Sequence, residues 1–291
     1  MNPFLLALVQ AGIITQADAE RMNRTLDPDA ARVWAEQQLA IAMQAGLSDQ
    51  QQRLVDLLRR SDGTLSEATL AGFWRSEDER LYAIVRPTLE RIVSERAIGI
   101  VVTAGGDAAM WQHVNQAALD WMHAYYTSAN PDFVGSVPNL NQTSRQQFAE
   151  IYGRWARGEL DNNRGLPTLI QELQQTFGPG RAEIIGVTET TRIRAEAEHA
   201  AALADPDLEF ERFKTAVDDR VCGYCGPLHN QTVRKGEPFI HPTLGAIDGP
   251  PVHPRCRCAI NSLTGPAARQ PIAPEDRYTY EGELPQRRVT P

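Results

Sequence analysis

The four cysteines of this chain fall in two close pairs in its C-terminal half. Cys222 and Cys225 are three positions apart, and Cys256 and Cys258 are two positions apart, with His253 just upstream. A C-x-x-C turn brings two sulfurs close enough to bind one metal ion, and tetrahedral zinc requires four donors. The four cysteines would complete such a site, or His253 would replace one of the later pair. A zinc site with no open position is structural rather than catalytic.

The segment between the two cysteine pairs is rich in turn-forming residues and offers few side chains for a core. Its glycines and prolines include Gly236, Pro238, Pro242, Gly245, Gly249, Pro250 and Pro251. A bound metal would therefore join two chain segments that have little apolar surface of their own. Gly226, directly after the second cysteine, is expected to adopt a positive φ that turns backbone amides towards the thiolates.

Two other interpretations of the cysteines stay open. In a secreted protein the two pairs could form two disulfides, and in a reducing cytosol they could be unligated thiols. The C-x-C spacing of the second pair specifies zinc less strongly than a second C-x-x-C would.

Two stretches around the cysteines carry a recognisable pattern. They are residues 213–225, Phe-Lys-Thr-Ala-Val-Asp-Asp-Arg-Val-Cys-Gly-Tyr-Cys, and residues 250–258, which end in His-Pro-Arg-Cys-Arg-Cys. Together they resemble the phage head morphogenesis family, the Mu F-like minor head proteins. Upstream, residues 178–198 resemble the helix that precedes the cysteine segment in that family. The resemblance covers about residues 137–260, and its most specific part is the His-Pro-x-Cys-Arg-Cys ending.

The resemblance implies a minor structural protein of a phage head rather than an enzyme. Such a protein would be present in few copies, would join the procapsid through the portal, and would support head assembly and DNA exit. The implied partners are the portal protein and other head or capsid proteins, together with packaged DNA. The implied locations are the host cytoplasm during assembly and then the virion.

Composition limits the other classes of function. A chain of 291 residues with 42% hydrophobic content can form one large or two ordinary domains with a buried core. A net charge of −8 argues against a dedicated DNA-binding surface. Local basic patches are still compatible with that net charge. No apolar run approaches the ~18 residues of a membrane span. The apolar N-terminus has no preceding Lys or Arg, so a short amphipathic helix is expected there instead of a secretory signal.

Hydrophobic periodicity predicts a mainly α protein of α+β class, with a helical N-terminal part and a C-terminal part that is helical with a small β module and a zinc knuckle. The expected domains are an N-terminal helical region (1–130), a head morphogenesis-like domain (131–264) with a cysteine-rich module (210–260), and an extended tail (265–291). The tail is rich in Pro and Arg.

The pattern predicts seven helices in the central part of the chain. They are 27–45, capped by Asp27 and stopped by Gly46; 48–60; 66–96, kinked or split by Pro87; 107–126; one capped by Thr143 or Ser144 and ending at Arg157; a short one opened by Pro167; and 181–203. A strand is expected at 210–217, with 239–242 and 259–263 as short partners. On helix 181–203, the i,i+4 pairs Arg192–Glu196 and Arg194–Glu198 are typical of a solvated surface.

The commonest motifs of zinc proteases, hydrolases and P-loop proteins are missing from the sequence. H-E-x-x-H, G-x-S-x-G and the P-loop do not occur, and the order of residues does not fit a zinc deaminase. The remaining enzymatic alternative is a zinc-containing nuclease or toxin-like enzyme. It would use His229, His241 or His253 as a base, with Asp219 and Asp248 nearby.

Overall fold

The computed structural model describes residues 1–24, 28–160, 165–216, 221–272 and 281–282. Its helices are α1 (Pro3–Gln10), α2 (Gln16–Arg24), α3 (Pro28–Arg60), α4 (Glu67–Ala104), α5 (Ala108–Thr127), α6 (Val137–Ala156), α7 (Leu166–Thr176), α8 (Pro179–Ala204) and α9 (Gly265–Ala268). Its strands are β1 (Leu208–Lys214), β2 (Thr232–Arg234), β3 (Phe239–His241), β4 (Gly245–Ile247) and β5 (Ala259–Thr264). The predicted fold class, mainly helical with a small antiparallel sheet near the C-terminus, is confirmed.

The strands form two small antiparallel sheets. The three-stranded sheet has the order β2-β1-β5, with Phe213 of β1 opposite Ile260 of β5. The second sheet pairs β3 with β4 only. The expectation that residues 239–242 would pair with the first strand is therefore wrong. The three-residue strand β3 turns back at once through Gly245, whose φ of 87° suits a tight return of the chain.

The chain divides into two compact units that are interleaved in sequence. The first, here called the cysteine unit, comprises Met1–Ala35, Arg91–Trp121 and Val187–Pro291. The second, here called the helical unit, comprises Glu36–Glu90 and Met122–Gly186. The sheets and all four cysteines belong to the cysteine unit.

The core of the helical unit consists of side chains that recur at helical spacing. On α3 the fully buried leucines and methionine are Leu39, Met43, Leu47, Leu54 and Leu58. Leu81, Val85 and Leu89 recur in the same way on α4. Because positions three and four apart share one face of a helix, each element presents a continuous apolar stripe to this core.

Gly46 does not stop a helix, contrary to the prediction, and α3 continues through it from Pro28 to Arg60. A Cβ at Gly46 would lie 2.4 Å from Cδ1 of Leu81 on α4. The missing side chain therefore allows two helices of the helical unit to approach closely. The predicted cap Asp27 lies outside the described residues.

Helices α4 and α6 each contain a proline. Helix α4 runs as one element past Pro87, so it is not split there, and the alternative, a kink at Pro87, stays a prediction. Helix α6 begins at Val137, ahead of the predicted caps Thr143 and Ser144, with Pro138 in its first turn and Ser136 at its N-cap. Proline suits that first turn because its missing N–H would have no intrahelical partner there.

The start of the expected extended tail is folded. Gly265–Ala268 form the single turn α9, in which the Thr264 hydroxyl accepts a hydrogen bond from the Ala267 amide. Most of the remaining tail, residues 273–280 and 283–291, lies outside the described residues. Among the helices that the structure describes, none is long and apolar enough to cross a membrane.

Candidate metal centre

The first cysteine pair lies in a tight turn that leads into a 3-10 turn, Gly226–Leu228. The amides of Cys225 and Gly226 both donate to the Cys222 carbonyl, at 3.1 and 2.8 Å. Gly226 itself does not have a positive φ, so this part of the prediction is wrong. Its helical conformation continues the turn, and the close approach of the two cysteines needs no left-handed residue at this position.

The second cysteine pair follows a turn in which the left-handed residue is Arg255, with φ of 63°. The Cys256 amide donates to the His253 carbonyl at 3.2 Å and closes this turn. Helix α8 holds it from outside through two hydroxyls. Thr188 Oγ1 accepts from the Arg255 amide at 2.9 Å, and Thr191 Oγ1 donates to the Cys256 carbonyl at 2.5 Å.

All five predicted ligands come together in the structure. His253 Nε2 lies 3.2 Å from the sulfurs of both Cys222 and Cys225, and the Cys225 and Cys256 sulfurs are 3.7 Å apart. Two groups of donors result, Cys222 with Cys225 and His253, and Cys225 with Cys256 and Cys258. All donor atoms within each group lie within 4.8 Å of one another. Cys225 belongs to both groups.

The donors form two overlapping groups rather than one set, and the contacts within these groups are close to the separations found around a tetrahedral ion. Zinc–sulfur bonds of about 2.3 Å and zinc–nitrogen bonds of about 2.0–2.1 Å at tetrahedral angles place the donor atoms roughly 3.5–3.8 Å apart. The contacts of 3.2 and 3.7 Å lie near this range.

The ring of His253 is oriented as a metal ligand would be. Its Nδ1 lies 2.7 Å from the Pro254 carbonyl, which can only accept a hydrogen bond, so Nδ1 carries the proton. The lone pair of Nε2 therefore faces the two sulfurs. Histidines that bind metals typically donate their other ring N–H in this way, which fixes both the tautomer and the ring plane.

The sulfurs of the second group are buried and influence one another. Cys225, Cys256 and Cys258 are all buried, and all four cysteines are free of disulfides. Hydrogen bonds from the Cys225 and Cys258 thiols lower the pKa of Cys256, whereas the hydrogen bond with Cys256 raises the pKa of Cys225. The cluster thus readily holds one negative charge, and a second thiolate at this distance requires a neighbouring cation.

The other two histidines of the enzymatic alternative are held in structural contacts. His241 is buried; its Nδ1 accepts from the Thr243 and Leu244 amides, and its Nε2 lies 2.9 Å from the Gly223 carbonyl. His229 Nδ1 accepts from the Thr215 amide at 3.1 Å. Because His241 contacts the Gly223 carbonyl, it supports the Cys222–Cys225 turn from inside the fold. Asp219 lies outside the described residues.

Sequence reasoning missed the groups that position the site. Thr188 and Thr191 are three residues apart on α8 and so share one helix face, but a Thr-x-x-Thr spacing has no specific meaning by itself. The role of His241 was equally hidden, because its partner is a backbone carbonyl 18 residues away.

The charged face of α8 is not solvated, contrary to the prediction. Glu189 and Glu198 are 2% and 9% exposed, and Glu198 pairs with Arg96 of α4 within the cysteine unit. Burial, the largest influence, raises the pKa of Glu196 on the same helix.

Comparison with protein families supports the resemblance found in the sequence. Residues 159–261 match the family model for Phage Mu protein F like protein. The match covers about one third of the chain, including all of α8 and all five candidate ligands, while residues 137–158 lie outside it. Neither the curated proteins nor the solved structures gave a match.

Proposed function

We propose that this chain is a minor structural protein of a phage head, which enters the procapsid with the portal protein. The observation that supports this most directly is the Mu F-like match over residues 159–261. In this proposal the chain is present in few copies, contacts the portal and other head or capsid proteins, supports head assembly and ends in the virion.

Virion composition tests the proposal. Quantitative mass spectrometry of purified virions of the phage that encodes the chain should find it in far fewer copies than the major capsid protein. Co-purification from lysates of infected cells should recover it with the portal protein. Mature virions and procapsids that both lack the chain would contradict the proposal.

We further propose that the cysteine cluster binds one structural zinc ion. Cys222, Cys225, His253 and Cys256 would hold it, because His253 Nε2 contacts the first two sulfurs and Cys256 is 3.7 Å from Cys225. Cys258 would serve as a hydrogen-bonding neighbour of Cys256. Zinc in this arrangement would neutralise the thiolates and join the two turns, with no open position for a substrate.

Elemental analysis of single variants tests this ligand set. The wild-type protein should contain about one zinc per chain. Cys222→Ser, Cys225→Ser, His253→Ala and Cys256→Ser should each lose it, whereas Cys258→Ser should retain it. Metal lost in Cys258→Ser and retained in His253→Ala would replace the proposed set by the four cysteines, and metal-free wild-type protein would refute the site.

The role in DNA exit and the contact with packaged DNA are proposed with the head function and have a separate test. Weak, salt-dependent binding of duplex DNA would be expected from local basic patches in a chain of net charge −8.

The enzymatic alternative, a zinc-containing nuclease, is tested by incubating the same samples with divalent metals and measuring DNA cleavage. Cleavage that is lost in His229→Ala or His241→Ala would favour the enzyme over the structural protein.

A further inference from the structure

A groove with basic walls lies within the cysteine unit. Of the five candidate zinc ligands, Cys258 alone is among its described lining residues. The volume of the groove is about 810 Å³. Five cationic side chains line it, namely Arg32, Arg96, Arg194, Lys214 and Arg257. Among the described residues of the lining, the acidic side chains are Asp29 and Glu198. Cationic side chains therefore outnumber acidic ones in this part of the lining, in a chain whose net charge is −8.

The groove follows the outer edge of β5. Its lining includes residues 258, 259, 261, 262 and 263. Successive side chains of a strand point to opposite faces of the sheet, so a groove on one face would contact only alternate residues. The groove contacts both odd- and even-numbered residues, whose side chains point to opposite faces of the sheet. It therefore lies along the edge of the strand.

That edge of β5 is open in the described part of the chain. The sheet order is β2-β1-β5, so β5 is a terminal strand that pairs with β1 on one side only. The outer edge of such a strand presents backbone N–H and C=O groups that can pair with an added strand.

One buried hydrogen-bond donor among the cationic side chains of the groove has no acceptor among the described residues. The Arg96 guanidinium contacts Glu198, but its buried Nε has no hydrogen-bond partner among the described residues. Burial, and then repulsion from Arg194, lower the pKa of Arg96 to about 9. An anionic group bound between these two arginines would relieve that repulsion.

We propose that this groove binds an extended acidic segment of a partner protein, which adds to the sheet as a fourth strand beside β5. Main-chain hydrogen bonds to the strand edge would provide affinity, and acidic side chains would pair with Arg96, Arg194 and Lys214. Strand addition of this kind combines a backbone ladder with pockets for alternate side chains.

The lining favours a peptide over nucleic acid. A phosphate backbone can only accept hydrogen bonds, so it would satisfy the N–H groups of the β5 edge and leave its carbonyls without donors. None of the described residues that line the groove is aromatic, and single-stranded nucleic acid is usually held by stacking on aromatic side chains.

Peptide binding to the full chain tests the proposal. The probe is a fluorescein-labelled peptide of eight residues in which Glu and Val alternate. Its binding is measured by fluorescence anisotropy. Saturable binding that weakens with salt is expected. Arg194→Gln and Lys214→Gln should each reduce affinity by about fivefold, the size typical of a partly exposed ion pair. Arg234→Gln is the matched control, because Arg234 is exposed on β2 at the opposite edge of the same sheet.

Amide hydrogen exchange separates strand addition from simple charge attraction. Peptide binding should slow exchange in residues 259–264, and N-methylation of alternate peptide residues should abolish both binding and protection. Binding that is unchanged by this methylation, or equally strong for the peptide with Gln in place of Glu, would overturn the proposal.

Two further experiments test whether a different ligand binds in the groove. Tighter binding of a duplex DNA oligonucleotide that depends on Arg194 and Lys214 would assign the groove to phosphate and overturn the peptide proposal. The chain's own C-terminal residues include Glu275, Asp276, Glu281 and Glu283. Peptide binding seen only in a variant that ends at Ile272 would assign the groove to that segment instead of a partner. None of these outcomes depends on the phage head assignment.

Discussion

The helical unit and the sheet module, residues 208–264 of the cysteine unit, bury very different side chains. The core of the helical unit consists of long aliphatic and aromatic residues on helices, among them Leu39, Leu81 and Phe148. The core cluster of the sheet module has eight buried residues, including Ala195 of α8, and three of them are cysteines. Because so much of this small core is sulfur, the stability of the sheet module should depend on what the sulfurs bind.

Buried polar groups are also used differently in the two regions. In the helical unit, Gln50 donates to Asn141 at 2.8 Å and to Glu77 at 3.2 Å, and Arg53 pairs with Glu77 at 2.5 Å. These contacts join side chain to side chain, although Gln50 Oε1 and Arg53 Nε have no hydrogen-bond partner among the described residues. In the cysteine unit, buried side chains also pair, as Glu198 does with Arg96, but some buried bonds end on backbone groups of the cysteine turns, as with Thr191 and Cys256. Part of the buried polar bonding in this unit therefore positions the turns that carry the candidate ligands.

The largest expected effect follows from removal of the proposed zinc ion. Treatment with a chelator, or the Cys225→Ser substitution, should lower the melting temperature of the cysteine unit by about 10 °C or more, since a metal site contributes several kcal/mol and each kcal/mol corresponds to about 2–4 °C. Scanning calorimetry with and without zinc measures this. A wild-type transition that is insensitive to chelator would remove the distinction between the two regions.

A packing change in the helical unit should be next in size and independent of metal. A Cβ at Gly186 would lie 2.8–2.9 Å from backbone atoms of Ala40 and Glu36, so Gly186→Ala should destabilise by about 1–3 kcal/mol in urea unfolding. Gly180→Ala on the same helix is the control. No atom lies within 4 Å of its added Cβ, and no loss of stability is expected. Equal stability of the two variants would show that the approach of the backbones is not close.

A pair of neighbouring threonines tests whether hydroxyls position the cysteine turns. Thr191→Val removes the hydrogen bond to the Cys256 carbonyl and should cost about 1 kcal/mol. It should also weaken zinc binding by up to about tenfold. Thr190→Val removes a buried hydroxyl that has no hydrogen-bond partner among the described residues, so it should be neutral or stabilising. Metal competition and urea unfolding of both variants measure the difference. Equal effects would contradict the positioning role of Thr191.

The smallest expected effect is a pH dependence in the cysteine unit. His199 Nδ1 lies 2.9 Å from the buried carboxylate of Glu211, and this hydrogen bond raises the pKa of His199. The folded state then binds the proton more tightly than the unfolded chain, whose histidine titrates near about 6.5. The stability that wild type gains over His199→Gln should be full below that pH and should be lost as pH rises through the folded pKa.

Urea unfolding of wild type and His199→Gln between pH 5.5 and 9 measures this. An advantage of constant size across the range would mean that His199 contributes packing alone.

The two regions also differ in how far the sequence predicts them. Helix periodicity predicts the helices of the helical unit, but not that α3 continues through Gly46, since a glycine at a helix end and a glycine at a helix crossing have the same identity. Only the position of Leu81 distinguishes them. The domain boundaries expected at residues 130 and 264 stay predictions.

Burial of charge could not be predicted from local spacing. The i,i+4 pairs on α8 have the same pattern whether the helix is exposed or covered. Glu198 is buried because Arg96, which is 102 positions away, contacts it, and a single sequence does not reveal that pairing.

The sequence by itself determined which chemistry is available, namely four thiols in two short turns, a histidine three residues before the second pair, and a Mu F-like signature around them. Short-range spacing is sufficient for this because residues within one turn are close in any fold. Only the tertiary structure decided that His253 faces the first cysteine pair, that α8 hydroxyls hold the second turn, and that an open strand edge lies beside a cationic wall. Each of these depends on contacts between segments that are distant in sequence, which the packing of the folded chain alone establishes.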